Sequence, residues 1–100
     1  MTMPHAFDPS RAMRPDGTAV ITGAASGFGR EFALLCAAEG MHLVLADVDE
    51  RGLQETVTLT GLPSDRVLAQ RCNVADADDV ERLAAKAMSR FPRVHLLFNN

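Results

Sequence analysis

Gly23, Gly27 and Gly29 fall within seven positions of one another, inside the stretch VITGAASGFGREF from Val20 to Phe32. Glycines so spaced suit a loop that lets an anion touch the main chain. Gly23 can turn the chain sharply, Gly27 puts no side chain between backbone and phosphate, and Gly29 lets the next element pack close to the last. If a helix starts here, its first N–H groups lack partners and its dipole favours negative charge, so the loop reads as a phosphate cradle. Ser26 adds a hydroxyl within reach of a phosphate or a ribose. Three residues, not four, separate the first two glycines and no Lys follows them, which excludes a P-loop.

Asp47 lies eighteen positions beyond Gly29, close to the spacing expected of an acid that binds ribose hydroxyls. Its carboxylate would accept from both hydroxyls of an adenosine ribose and repel a 2′-phosphate, so NAD is favoured over NADP. The alternative is that Asp47 caps the following helix, although Asp49 is better placed for that. Arg30 and Arg51 are the nearby bases that could accommodate a 2′-phosphate, and both read as solvated surface residues.

These residues need elements to position them. Thr18–Thr22 (TAVIT) is a β-branched run and reads as a strand. From Gly27 to about Glu39 the period becomes helical, with Phe28, Phe32, Leu35 and Cys36 on one face and Gly40 as the stop. His42–Ala46 is a second strand, and Arg51 to about Leu59 a second helix, with Leu53 and Val57 inward and Gly61 and Pro63 after it. Val67–Cys72 is a third strand. Asp76 opens a third helix whose Val80, Leu83, Ala84, Ala87, Met88 and Phe91 keep helical spacing up to Pro92. Val94–Phe98 is a fourth strand. The order βαβαβαβ requires parallel strands, right-handed crossovers and helices on both faces of the sheet.

Composition fits this reading. The chain has 100 residues, 47% hydrophobic and 23% charged, enough for one domain with a small core. A formal net charge of −3 argues against general affinity for nucleic acid or an anionic membrane. No apolar run approaches a membrane span, and residues 1–16 lack the apolar core of a secretory signal. With Pro4, Pro9 and Pro15, that segment reads as a flexible leader to a domain over residues 17–100. Cys36 and Cys72 sit in apolar patterns and read as buried thiols rather than a disulfide, which favours the cytoplasm.

Four stretches resemble the short-chain dehydrogenase/reductase family. TGAASGFG, Thr22 to Gly29, matches its T-G-x-x-x-G-x-G motif at every fixed position, with Phe28 where Ile is usual. LADVD, Leu45 to Asp49, is similar to the NAD-type end of its second strand. In CNVADADDV, from Cys72, Asn73-Val74 stands where the family has Asp-Val beside the adenine. LLFNN, Leu96 to Asn100, looks like the opening of N-N-A-G, with His95 where Asp is common.

The resemblance covers residues 17–100 and implies a Rossmann-type doubly wound parallel sheet in three α/β/α layers. It implies hydride transfer between a nicotinamide dinucleotide and an alcohol or ketone substrate, with a homo-oligomer for the whole protein. It puts cofactor contacts on Gly23, Ser26, Gly27, Phe28 (through its N–H), Gly29, Asp47, Val48, Asn73, Val74 and Asn100. Thr22 would order the turn and Asn99 would support the strand end.

The family's catalytic Tyr and Lys lie downstream of N-N-A-G. This sequence holds no Tyr, and its single Lys, Lys86, falls on the third helix. No catalytic residue is assigned, and the chain reads as the N-terminal cofactor half of an oxidoreductase, stopping after strand four. One side of the sheet is expected to be open, making this piece weakly stable or self-associating. Asp76, Asp78 and Asp79 read as a solvated cap, and no residues have metal-ligand spacing. His5, His42 and His95 have no paired acid or nucleophile at suggestive spacing. Two other readings stand beside this one: an S-adenosylmethionine-dependent methyltransferase, and a non-catalytic nucleotide-binding module that kept the loop.

Overall fold

The structure, a computed structural model, describes residues 16–91 and 93–99. Seven elements alternate as β1 Thr18–Thr22, α1 Gly27–Ala38, β2 His42–Asp47, α2 Glu50–Thr60, β3 Val67–Arg71, α3 Ala77–Arg90 and β4 Leu96–Phe98. All strand pairings are parallel, and the strand order across the sheet is β3-β2-β1-β4. This is the doubly wound α/β arrangement expected, with α1 and α2 on one face and α3 on the other. The register sets Thr22 beside Ala46, and Asp47 beside Arg71, so the carboxyl ends of three strands line up along one edge.

Local chemistry explains the boundaries. Asp49 caps α2 by accepting the Gly52 N–H at 3.0 Å, and Gly61 closes that helix at φ +67°. Asp76 caps α3, accepting the N–H groups of Asp78 and Asp79. The strand expected over Val94–Phe98 is only three residues long. Just before it, His95 Nδ1 accepts the Thr18 N–H at 3.2 Å and the His95 N–H donates to Thr18 O at 2.9 Å. Of the expected leader, residues 1–15 lie outside the described residues. Asp16 sits in a turn, donating to Gly40 O at 3.0 Å and pairing with Arg66 at 3.1 Å.

Two apolar layers sandwich the sheet. Ile21, Leu43, Leu45, Leu96 and Phe98 pack under α1 and α2, where Phe32 stacks on Phe98 at 4.5 Å between ring centroids. Val20, Val44, Ala46 and Cys72 pack under Leu83, Ala87 and Phe91 of α3. The buried face of α1 differs from the expected stripe: Gly29, Phe32, Ala33 and Cys36 are inside, while Phe28 and Leu35 are exposed. Contact through the Cβ-less Gly29 turns the 29–33–36 row toward the sheet. Val80, Ala84 and Met88 of α3 are exposed as well, because four strands cover only part of that helix's apolar stripe. Among the described residues no helix is long and apolar enough to cross a membrane.

Candidate functional site

The glycine loop occupies the carboxyl end of β1. Gly23 and Gly27 adopt φ +65° and +57°, a region other residues enter only with strain. A Cβ on Gly29 would lie 2.0 Å from Gly23 O, so α1 can start this close to β1 only with glycine there. A Cβ on Gly27 would meet nothing within 4 Å, which leaves the main chain open to the outside. Ser26 is the N-cap of α1, yet its exposed side chain makes no capping bond. The Ser26 N–H closes the turn at residues 24 and 25, while the N–H groups of Gly27, Phe28 and Gly29 at the start of α1 form the donor cluster that helix starts offer to anions.

Asp47 ends β2 and touches the loop directly. Its Oδ2 accepts the Ala25 N–H and its Oδ1 the Asp49 N–H, each at 3.0 Å. A carboxylate has about four acceptor sites, so capacity for two hydroxyls remains. Asp47 therefore anchors the loop rather than capping α2, a role that belongs to Asp49.

Arg30 is not the solvated surface residue its charge suggests. Its side chain is only 25% exposed. Nε donates to Thr56 Oγ1 at 2.9 Å, and Nη2 reaches Ala25 O at 2.6 Å, Gly52 O at 3.0 Å and Glu55 Oε2 at 3.3 Å. Thr56, fully buried, donates in turn to Ala24 O at 2.7 Å. Gly52 completes this seam, since a Cβ there would come within 2.9 Å of Ala25 Cβ. Arg51, by contrast, is as exposed as expected, at 93%. Gly52 carries a readable signal, because a glycine inside a helix costs about 1 kcal/mol and calls for a packing reason. Arg30 and Thr56 carry none.

The third wall follows β3. The Asn73 N–H donates to Asp79 Oδ2, and Asn73 Oδ1 accepts the Ala75 N–H, both at 3.0 Å. The Asn73 N–H bond, then Arg82 and Arg71 beside it, hold the Asp79 carboxyl below the usual range. Val48, Val74 and Phe28 are each more than half exposed at this end of the sheet, where water is a poor partner for them. Thr22 Oγ1 donates to Asn99 Oδ1 at 2.8 Å, tying β1 to the end of β4. Asn100 lies outside the described residues.

Groups suited to catalysis are scarce. Burial, with the nearby Glu39 charge, pushes the Cys36 thiol up to about 12, and burial raises Cys72 as well, so neither supplies a thiolate near neutral pH. No cluster of His, Cys, Asp or Glu among the described residues could hold a metal. The arrangement offers anion binding and hydroxyl recognition.

Residues 17–100 match the family model of the short chain dehydrogenases. A cyclohexanol dehydrogenase of Acinetobacter sp. strain SE19 is 35% identical over 82 residues, covering 82% of this chain and 33% of that protein. The crystal structure of a short chain dehydrogenase/reductase from Burkholderia phymatum in complex with NAD superposes with a TM-score of 0.77 at 47% identity, covering 83% of this chain and 30% of that one. A variant actinorhodin polyketide ketoreductase with NADPH gives a TM-score of 0.77 at 31% identity, covering 85% of this chain and 33% of that one. The chain thus spans about a third of the length of the relatives it matches.

Proposed function

The chain belongs to the short-chain dehydrogenase family, and from that premise we propose that it is the cofactor-binding part of an NAD-dependent oxidoreductase acting on an alcohol or ketone. The observation that carries this is the 3.0 Å bond from the Ala25 N–H to Asp47 Oδ2. It supports the reading because Asp47, the acid proposed to bind the ribose, lies one hydrogen bond from the loop proposed to hold the diphosphate.

In this reading the N–H groups of Gly27, Phe28 and Gly29 bind the diphosphate, with the Ser26 hydroxyl beside them and the α1 dipole helping. Gly23 and Gly29 set the approach. Asp47 accepts the adenosine ribose hydroxyls with the capacity its two backbone bonds leave. Val48 and Val74 flank the adenine, Asn73 meets its polar edge, and Asn100 belongs to the nicotinamide side. The cofactor, when bound, supplies hydride chemistry. The chain's own residues hold it and orient it.

The preference for NAD rests on charge. A 2′-phosphate would meet the Asp47 carboxylate, and Arg30 is committed to four acceptors and cannot turn toward it. Arg51 lies outside that seam, exposed and within 3.8 Å of Glu55. Two buried free thiols fit a reducing compartment such as the cytoplasm.

A thermal-shift titration tests the proposal. NAD at a hundredfold excess over its dissociation constant should stabilise the protein by about 2.7 kcal/mol. S-adenosylmethionine should leave the midpoint unchanged. Stabilisation by S-adenosylmethionine but not NAD would replace this reading with the methyltransferase one.

A further inference from the structure

We propose that Arg30, with Thr56, is a positioning residue for the cofactor: from behind, it fixes the turn that sets the first N–H groups of α1 against the diphosphate. This rests on the reading of the site as a dinucleotide cradle.

The argument is one of peptide geometry. In a trans peptide the C=O and the next N–H point in opposite directions, and the described chain has no cis bond. The Ala24–Ala25 peptide is held at both ends: its carbonyl accepts from Thr56 Oγ1, and its N–H donates to Asp47. The Ala25–Ser26 peptide is held at its carbonyl, which takes the Arg30 guanidinium at 2.6 Å, the shortest of that group's four bonds. Its N–H, on Ser26, closes the turn at residues 24 and 25 that begins at Gly23. Holding Ala25 C=O toward α2 therefore fixes the turn that delivers the chain to the first N–H groups of α1.

The same guanidinium spans α1 and α2 by bonding Gly52 O and Thr56 Oγ1, so the loop cannot rotate independently of the helix that follows Asp47. A charged donor suits the task, because hydrogen bonds from ionised groups are stronger than neutral ones. Only a planar fork can serve a hydroxyl and several carbonyls at once; a lysine ammonium at the end of a flexible stem cannot.

The test uses the full-length protein and two probes. NADH spans the adenosine wall and the loop, whereas adenosine touches the wall alone. Arg30→Met keeps the aliphatic stem and should weaken NADH binding about tenfold, while the affinity for adenosine, measured by displacement of NADH fluorescence, changes less than twofold. Arg30→Lys should recover part of the loss. Thr56→Val removes one link and should weaken NADH by a few-fold, and it carries the test if Arg30→Met does not fold. NADH affinity within twofold of wild type in the folded variants, even with a lowered melting point, would overturn the positioning role and leave a purely structural clamp. Wild-type protein that binds no NADH would overturn the dinucleotide reading itself, and this inference with it.

Discussion

Under α1 and α2 the sheet is sealed, whereas under α3 it stays partly open. Ile21, Leu43, Leu45, Leu96 and Phe98 all lie below a tenth exposed on the first face. On the second, Leu97 is 66% exposed, and an apolar groove of about 450 Å³ runs between β4 and α3, lined by Val20, Val80, Leu83, Met88 and Leu97. The glycine loop belongs to the sealed side. Its back is bonded to Asp47, Arg30 and Thr56, all contributed by α1, β2 and α2. The difference teaches that the back of the loop is held locally by the first two βα units, while its entry at Thr22 is tied to Asn99 beside the open face. Val74 is where the two regions meet, since it follows β3 at the site and also lines the groove.

The largest effect that would sharpen this comparison is expected at Gly29. Gly29→Ala drives a Cβ to 2.0 Å from a backbone oxygen that no rotamer change can relieve. It should cost about 3 kcal/mol or more, read as a shift in urea midpoint. Gly27→Val meets open space and should lose little beyond the strain of its positive φ, about 1–2 kcal/mol. Yet it should abolish NAD binding through bulk at the diphosphate. A Gly27→Val protein that binds NAD normally would mean the loop cradles nothing.

Cavity formation on the two faces comes next. Leu45→Ala, at a fully buried position under α1 and α2, should cost about 2–5 kcal/mol. Leu97→Ala on the open face should stay within about 0.5 kcal/mol. Equal losses in chemical denaturation would mean that the open face is closed in solution, and the contrast would fail.

The smallest effect concerns the wall after β3. The Asp79 carboxyl titrates below its unfolded value, so its contribution is present above the ordinary carboxylate range and is lost as pH falls through the folded value. As pH falls from neutral to below the ordinary carboxylate range, until Asp79 is protonated, the hydrogen-exchange protection factor of the Asn73 amide should therefore drop. Asp79→Asn should start low and vary little. Protection that is unchanged across that range in the wild type would break the Asn73–Asp79 link.

Much of this was legible in residue order. Runs of β-branched and apolar residues between Gly and Pro stops mark all seven elements, and the spacing from the glycines to Asp47 marks two features that the fold brings into contact. What was not legible depends on pairs brought together only by folding. Arg30 and Thr56 are twenty-six positions apart on different helices. A lone Arg reads as solvent-facing because charge is rarely buried without partners, and its partners here are main-chain carbonyls that no local pattern announces. The approach to β4 is similar, for nothing in VHLLF says that an imidazole will accept the Thr18 N–H. The inward stripe of α1 is off by one row because amphipathic spacing ignores how near Gly29 lets the helix approach.

The dual service of Asp47 is the centre of the account, and paired dissociation constants for NAD and NADP, in wild type and in Asp47→Ala, address it most directly. The wild type should prefer NAD; the variant should bind NAD more weakly by about tenfold and lose most of the discrimination against NADP. An unaltered ratio of the two constants would contradict the assignment of that carboxylate to the ribose.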